Sequence, residues 1–318
     1  MARYQQFSVN ELTVNSINGI PYAGGRFAGL WTQRIFYVDG TSGLDGNLGL
    51  LPKSAFKTIA KAVATAKKDD TIYIRPQAVG ARYTENVIVP VTTHAGLSII
   101  GTGNGKGTSV YQACNWRCAT ESATATLLLH SSFANVENMN FFPMATQLTC
   151  GLISINWNTG GGLNIGSSVL NCGFWGNPDS LPAAGVLQST IRLDSTEGIL
   201  IGGNIFKDCR IAVSCHSTVG AGDSINIIGN EFTGTAANIA ADIYFTDYTQ
   251  VNISKNMMGH GVPSQAAGLN KYVYCAGTVA GNMTNNTQGA ADVIAATNNT
   301  LSGIICSGNS GLAGPWTS

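Results

Sequence analysis

The sequence predicts an all-β solenoid whose N-terminal end is closed by one helix. Three observations carry this expectation. A short repeat recurs along the second half of the chain, each repeat holds runs of alternating apolar and polar residues, and a single helical pattern stands ahead of the first such runs. Stacked turns of this kind bury a continuous apolar stripe that no one repeat can bury alone.

The repeat is read from six segments that align without gaps, beginning at Val136, Val169, Ile201, Ile227, Ile253 and Val279. Their starts are 33, 32, 26, 26 and 26 residues apart. A β-branched residue opens each one, and the sixth place reads Phe141, Phe174, Phe206, Phe232, Met258 and Thr284. The fourth place supplies Asn204, Asn230, Asn256 and Asn282, and Asn309 follows after a further 27 residues. These five asparagines are expected to form a structural ladder, because Asn tolerates tight left-handed turns and stacked amides bond along the axis. A second alternating run precedes most segments, at 152–156, 190–194, 212–216, 242–246 and 271–275. Two or three short strands per repeat, stacked about 4.8 Å apart, make a rung of a β-solenoid.

The ends are read in the same way. Phe56, Ile59, Ala60 and Val63 form an i, i+3, i+4, i+7 face behind Pro52 and Ser54, with Ser54 the expected N-cap. This helix is expected to cover the N-terminal opening of the core. Residues 1–34 lack the rung pattern and are expected to be an arm for attachment and oligomer contact. Residues 35–309 are assigned to the solenoid, about ten rungs in all, and the Gly-rich residues 310–318 to a C-terminal tail.

Composition removes several functions. Charged residues are 11% of the chain and the formal net charge is zero. Nucleic acid is therefore not an expected partner, since phosphate neutralisation supplies most of that affinity. Runs of about 18 apolar residues are absent, and so is an apolar stretch near the start, so neither membrane insertion nor secretion by a signal peptide is expected. The eight cysteines form no CxxC pair, so they are expected to be buried free thiols. No metal and no cofactor are expected; Asp39, Asp45 and Asn47 lie close in sequence but do not match a calcium loop.

The stretches at 36–47, 55–66, 70–76, 83–90 and 96–110 closely resemble the opening of right-handed parallel β-helix proteins of the pectin-lyase-like superfamily. The resemblance implies a single-stranded, right-handed parallel β-helix. That superfamily includes pectin methylesterases, polysaccharide lyases and many bacteriophage tailspike and other virion proteins. Its enzyme signatures are incomplete in this chain. Asp242 to Asp247 lacks the Gly and the partner motif of the methylesterases. Gly259, His260 and Gly261 match one polygalacturonase motif, but Asp69 and Asp70 lie in the cap region and Asn-Thr-Asp is absent. Pectate-lyase arginine and calcium motifs are missing as well.

The expectation is therefore a non-enzymatic bacteriophage virion protein, a tail-spike or fibre component or a capsid-surface decoration protein. It would assemble in the host cytoplasm, contact other virion proteins through its arm and act as a homotrimer, with host surface polysaccharide as a further ligand. The alternative is a polysaccharide depolymerase, a glycoside hydrolase or lyase. Its catalytic candidates are Glu197 and Asp223, which fall four places before Ile201 and Ile227 and so are expected on adjacent coils about 5 Å apart. The same column continues to Thr249 and Cys275, and an exposed turn is its plain structural reading. Trp157 and Trp175 are candidates for stacking on sugar rings, with packing as the competing explanation. The Pro-containing insertion at 176–188 is the expected contact loop.

Overall fold

The computed structural model is a parallel β-helix. The structure describes residues 33–309 except 79, 104–112, 120–124, 144–150, 157–162, 177–188, 217–221, 235–240, 261–270, 276–278 and 289–303. It also describes the backbone of 16–17, 20–23 and 26–27. The expected tail, most of the insertion at 176–188 and Trp157 lie outside these residues.

Three long parallel sheets run along the axis, called A, B and C in the order the chain visits them. Sheet A begins with Ile35–Val38 and Thr71–Ile74 and ends with Val279–Thr284 and Ile304–Ser307. Sheet B runs from Tyr83–Thr84 to Thr287–Gln288, and sheet C from Val87–Val89 to Lys271–Cys275. Because side chains alternate along each strand, one set from every strand faces the axis. Sheet A supplies Ile72, Ile99, Val136, Val169, Ile201, Ile227 and Ile253, all buried. From sheet B comes a column of rings, Tyr83, Trp116, Phe141, Phe174, Phe206 and Phe232, followed by Met258.

At the corner between sheets A and B the chain must turn sharply. Asn138, Asn171, Gly203, Gly229, Lys255, Asn285 and Gly308 all have positive φ there. The next residue on successive coils is Cys172, Asn204, Asn230, Asn256, Asn286 and Asn309. Asn204 Nδ2 donates to Asn230 Oδ1, Asn230 to Asn256, Asn256 to Asn286 and Asn286 to Asn309, at 2.9 to 3.0 Å. The ladder thus runs through Asn286, and the expected member Asn282 is replaced. Asn282 lies in register with Asn252 on sheet A and is exposed. The left-handed residue is the one before each amide, so the ladder asparagines themselves do not use the conformational tolerance expected of them.

The shift has a simple origin. The steps from Asn256 to Asn286 and from Asn286 to Asn309 are 30 and 23 residues, and together they equal the 26 and 27 that the repeat suggested. Val279 accordingly pairs with Tyr248, Met283 takes the place beside Ile253, Thr284 pairs with Ser254, and Cys275 sits beside Phe245 on sheet C.

The cap is also shorter than expected. Its α-helix, α1, spans Ile59–Thr65, and Thr58 is the N-cap, accepting from Lys61 N–H through its hydroxyl. Ser54 instead ends the short 3-10 turn Pro52–Ser54. Phe56, Ile59 and Val63 of the expected face are buried, but Ala60 is exposed and Ala62 takes its place. The Glu85 carboxylate accepts from Ile59 N–H and Ala60 N–H, and His94 joins the Val63 carbonyl at 2.8 Å. Both contacts fix α1 over the open end of the core.

Among the described residues six cysteines, Cys114, Cys118, Cys172, Cys209, Cys215 and Cys275, are buried and form no disulfide. Burial pushes the Cys114 thiol up to about 11 and those of Cys172 and Cys209 up to about 12. The thiolate is the reacting species, so an aromatic disulfide reagent at pH 8 is expected to leave all six unmodified in the native protein. Rapid labelling of Cys172 before denaturation, read by mass spectrometry, contradicts this.

Candidate functional surfaces

The two candidate carboxylates do meet in register. Glu197 pairs with Asp223 on adjacent strands of sheet A, with Ile165 on the coil before and Thr249 on the coil after. Asp223 is engaged by its own turn and by the next coil: Ser224 N–H and the Thr249 hydroxyl donate to Oδ1, at 2.7 and 3.1 Å, and Gln250 Nε2 donates to Oδ2 at 2.9 Å. Both residues are half-buried. Adjacency is present, and the Asp223 carboxylate is already taken up by hydrogen bonds from Ser224, Thr249 and Gln250.

Trp175 lies on the outer side of sheet B, within a row that continues over several coils. Thr84 is in register with Arg117, Arg117 with Phe142, and Trp175 with Lys207. The Phe142 and Trp175 rings are nearly parallel with centroids 6.1 Å apart. The Arg82 guanidinium sits 3.9 Å above the Phe142 ring, and Lys207 Nζ lies 5.4 Å from the Trp175 centroid. Both faces of the aromatic pair are thus occupied, and Trp175 Nε1 is buried without a hydrogen-bond partner. Trp175 cannot lay a free face on a sugar as the sequence suggested; the row offers ring edges flanked by cations.

Arg117 Nε donates to the Thr84 hydroxyl at 3.1 Å. Burial and the neighbouring Arg117 charge both lower the Arg82 pKa from the ordinary arginine value. Ion pairs among the described residues are Arg34–Asp70, Arg75–Asp39 and Arg192–Asp194. Arg82, Arg117 and Lys207 take part in none of them.

A second cluster, absent from the sequence reading, stands on the outer side of sheet C. Ile191 and Leu193 face the core, so the alternate residues Arg192 and Asp194 point outward, joined at 2.8 and 3.2 Å. Asp194 is nonetheless buried and lies beside His216 on the next coil. The His216 ring meets Tyr244 with centroids 5.5 Å apart. Burial pushes the His216 pKa below the usual histidine value, and Arg192 adds to this against the opposing pull of Asp194. The imidazole is therefore neutral at pH 7 and able to accept a proton. The signal existed in the sequence as the outward places of the runs at 190–194 and 212–216.

The residues with a loose calcium pattern are used internally. Asp39 accepts from Thr41 N–H, Ser42 N–H and Arg75, Asp45 holds Lys57 N–H and Thr58, and Asn47 donates to the Ala55 carbonyl. Among the described residues no group of three or more His, Cys, Asp or Glu could hold a metal ion.

No protein-family model matches the chain, and no curated protein matches it in sequence. Among solved structures, a rhamnogalacturonan lyase aligns over 80% of this chain and 68% of its own, with 12% identity and a TM-score of 0.42. At that distance no chemistry passes from that protein to this one.

Proposed function

We propose that this chain is a non-enzymatic structural β-helix of a bacteriophage virion, a tail-spike or fibre component or a capsid-surface decoration protein, that engages an acidic host-surface polysaccharide along the outer row of sheet B. The N-terminal segment serves both attachment to other virion proteins and contact between copies, and the working unit is a homotrimer. The observation that carries the glycan reading is the row itself: three cations with no carboxylate partner among the described residues, laid against two aromatic rings on a protein of zero net charge. Arg117 and Lys207 stand three coils apart, about 14 Å along the axis. A polyanionic glycan strand offers charges on that scale and apolar ring faces between them. The virion part rests on the resemblance of the N-terminal third.

The test is calorimetric titration with a polyuronate oligosaccharide and with a neutral glucan of equal length. Polyuronate is expected to bind and to weaken as salt rises. Lys207→Glu and Arg117→Glu are each expected to weaken it about tenfold or more, with the melting temperature unchanged. Equal binding of the neutral glucan, or no effect of either variant, overturns the assignment.

A second reading is favoured by one observation. The neutral His216 beside Tyr244, with Arg192 close by, is a proton acceptor next to a cation, which suits removal of a proton from an acidic sugar. On that reading the protein is a depolymerase, and the reaction belongs to sheet C rather than to Glu197 and Asp223.

A further inference from the structure

The first coil presents an apolar surface that none of the functions above uses. Leu44, Leu48, Leu50 and Leu51 fall within eight consecutive residues and are 62%, 74%, 46% and 51% exposed. Soluble monomers keep contiguous apolar patches small, so such a group marks an interaction site. The loop that carries them is not free to turn them inward. Leu44 N–H donates to the Ala55 carbonyl, Asn47 N–H to Leu44, Gly49 N–H to Ser54 and Ser54 N–H to Leu51. Gly49 has φ +72° and lies against the Phe56 ring, where a Cβ would come within 2.2 Å. The same loop closes the free edge of the first strand, since Tyr37 N–H donates to Gly49 and Phe56 N–H to Tyr37. A concavity of about 310 Å³, lined by Tyr37, Pro52, Ala55 and Tyr73 among others, is on this coil.

The 32 residues ahead of this coil match that surface in chemistry. They include Ile17, Ile20, Tyr22, Phe27, Leu30 and Trp31, and their only charged residues are Arg3, Glu11 and Arg26. The segment is anchored at Arg34, whose backbone N–H and guanidinium bond Asp70 and whose guanidinium also reaches the Thr65 carbonyl. Thr65 ends α1, whereas the leucine loop is tied to Ala55 and Thr58 at its start. Arg34 and the leucine loop therefore sit at opposite ends of a helix about 10 Å long.

We propose that the leucine loop and the adjoining concavity receive residues 1–32 of a neighbouring copy of this chain, so that copies are joined by exchange of their N-terminal segments. Each copy gives one segment and takes one, which closes a ring when the copies are related by rotation. This inference does not depend on the glycan reading.

The test is sedimentation velocity on full-length protein. Wild type is expected to sediment as a closed oligomer, while Leu48→Lys/Leu51→Lys and Leu30→Lys/Trp31→Lys each sediment with the mass of a single chain and keep the β-sheet circular dichroism of wild type. Mixing the two variants restores no oligomer larger than a dimer, because only one compatible joint remains. A wild type that is monomeric overturns the proposal. So does a loop variant that dissociates while the segment variant stays assembled, which would assign the leucines to another part of the second copy. A monomer that still binds polyuronate separates this failure from that of the functional reading.

Discussion

Asn230→Ala is expected to cost roughly 3 kcal/mol or more, several times the effect of an ordinary surface substitution. The amide of Asn230 is buried and used on every side. Its Nδ2 donates to the Ile201 carbonyl and to Asn256 Oδ1, and its Oδ1 accepts from the backbone and side-chain N–H of Asn204, all at 3.0 Å. Truncation strands one carbonyl and two donors inside the corner, each costing about 1–3 kcal/mol when left unpaired. Urea denaturation followed by circular dichroism measures the loss. The same experiment reads the register near the C-terminal end. Asn286→Ala is expected to destabilise, because Asn286 joins Asn256 to Asn309, whereas Asn282→Ala on the exposed side of sheet A stays within about 0.5 kcal/mol. The reverse ranking contradicts the ladder as described.

Phe206→Ala is expected to remove about 3–5 kcal/mol. Phe206 is 1% exposed and lies between Phe174 and Phe232, with centroids 4.9 and 5.0 Å away and planes within 9°. Neighbouring coils hold these rings at fixed spacing, so the walls cannot collapse into the space left behind. Phe206→Leu keeps most of the volume and is expected to cost about 1–2 kcal/mol. A Phe206→Ala protein as stable as wild type means that the ring column is not what holds the coils at this height.

The sequence made the solenoid legible where the aligned segments keep their internal spacing from strand to corner to strand. From Val136 to Ile253 the interior column, the rings and the first three ladder amides stand where the aligned segments put them. The alignment failed after Ile253 because a longer coil is followed by a shorter one, and Asn282, the fourth and exposed residue of the strand Val279–Thr284, imitates the missing amide. A fixed period cannot see compensating changes in turn length; the left-handed residue before each ladder amide, Asn285 in this case, was the better guide. Helix ends escaped for a related reason. Ser54 and Thr58 are both good caps by residue type, and the choice fell to Asp45 and Glu85, partners that become visible only in three dimensions.

Function was less legible. Glu197 and Asp223 were placed correctly as neighbours, yet their surroundings decide their chemistry, and Asp223 is spent on Ser224, Thr249 and Gln250. Trp175 was recognised as an aromatic, but its role depends on Phe142, Arg82 and Lys207, which come from three other coils. The Arg192, Asp194, His216 and Tyr244 cluster was hidden because strand residues of mixed polarity read as solvent-facing until their burial is known.

The most direct measurement of the account is the chain length of an acidic polysaccharide before and after incubation with the full-length protein, taken together with the amount bound. The account expects the polysaccharide to co-sediment with wild type, to be released by Lys207→Glu, and to keep its length throughout. Shortened chains that disappear with His216→Gln would contradict it, and would move the working surface from the outer row of sheet B to the cluster on sheet C.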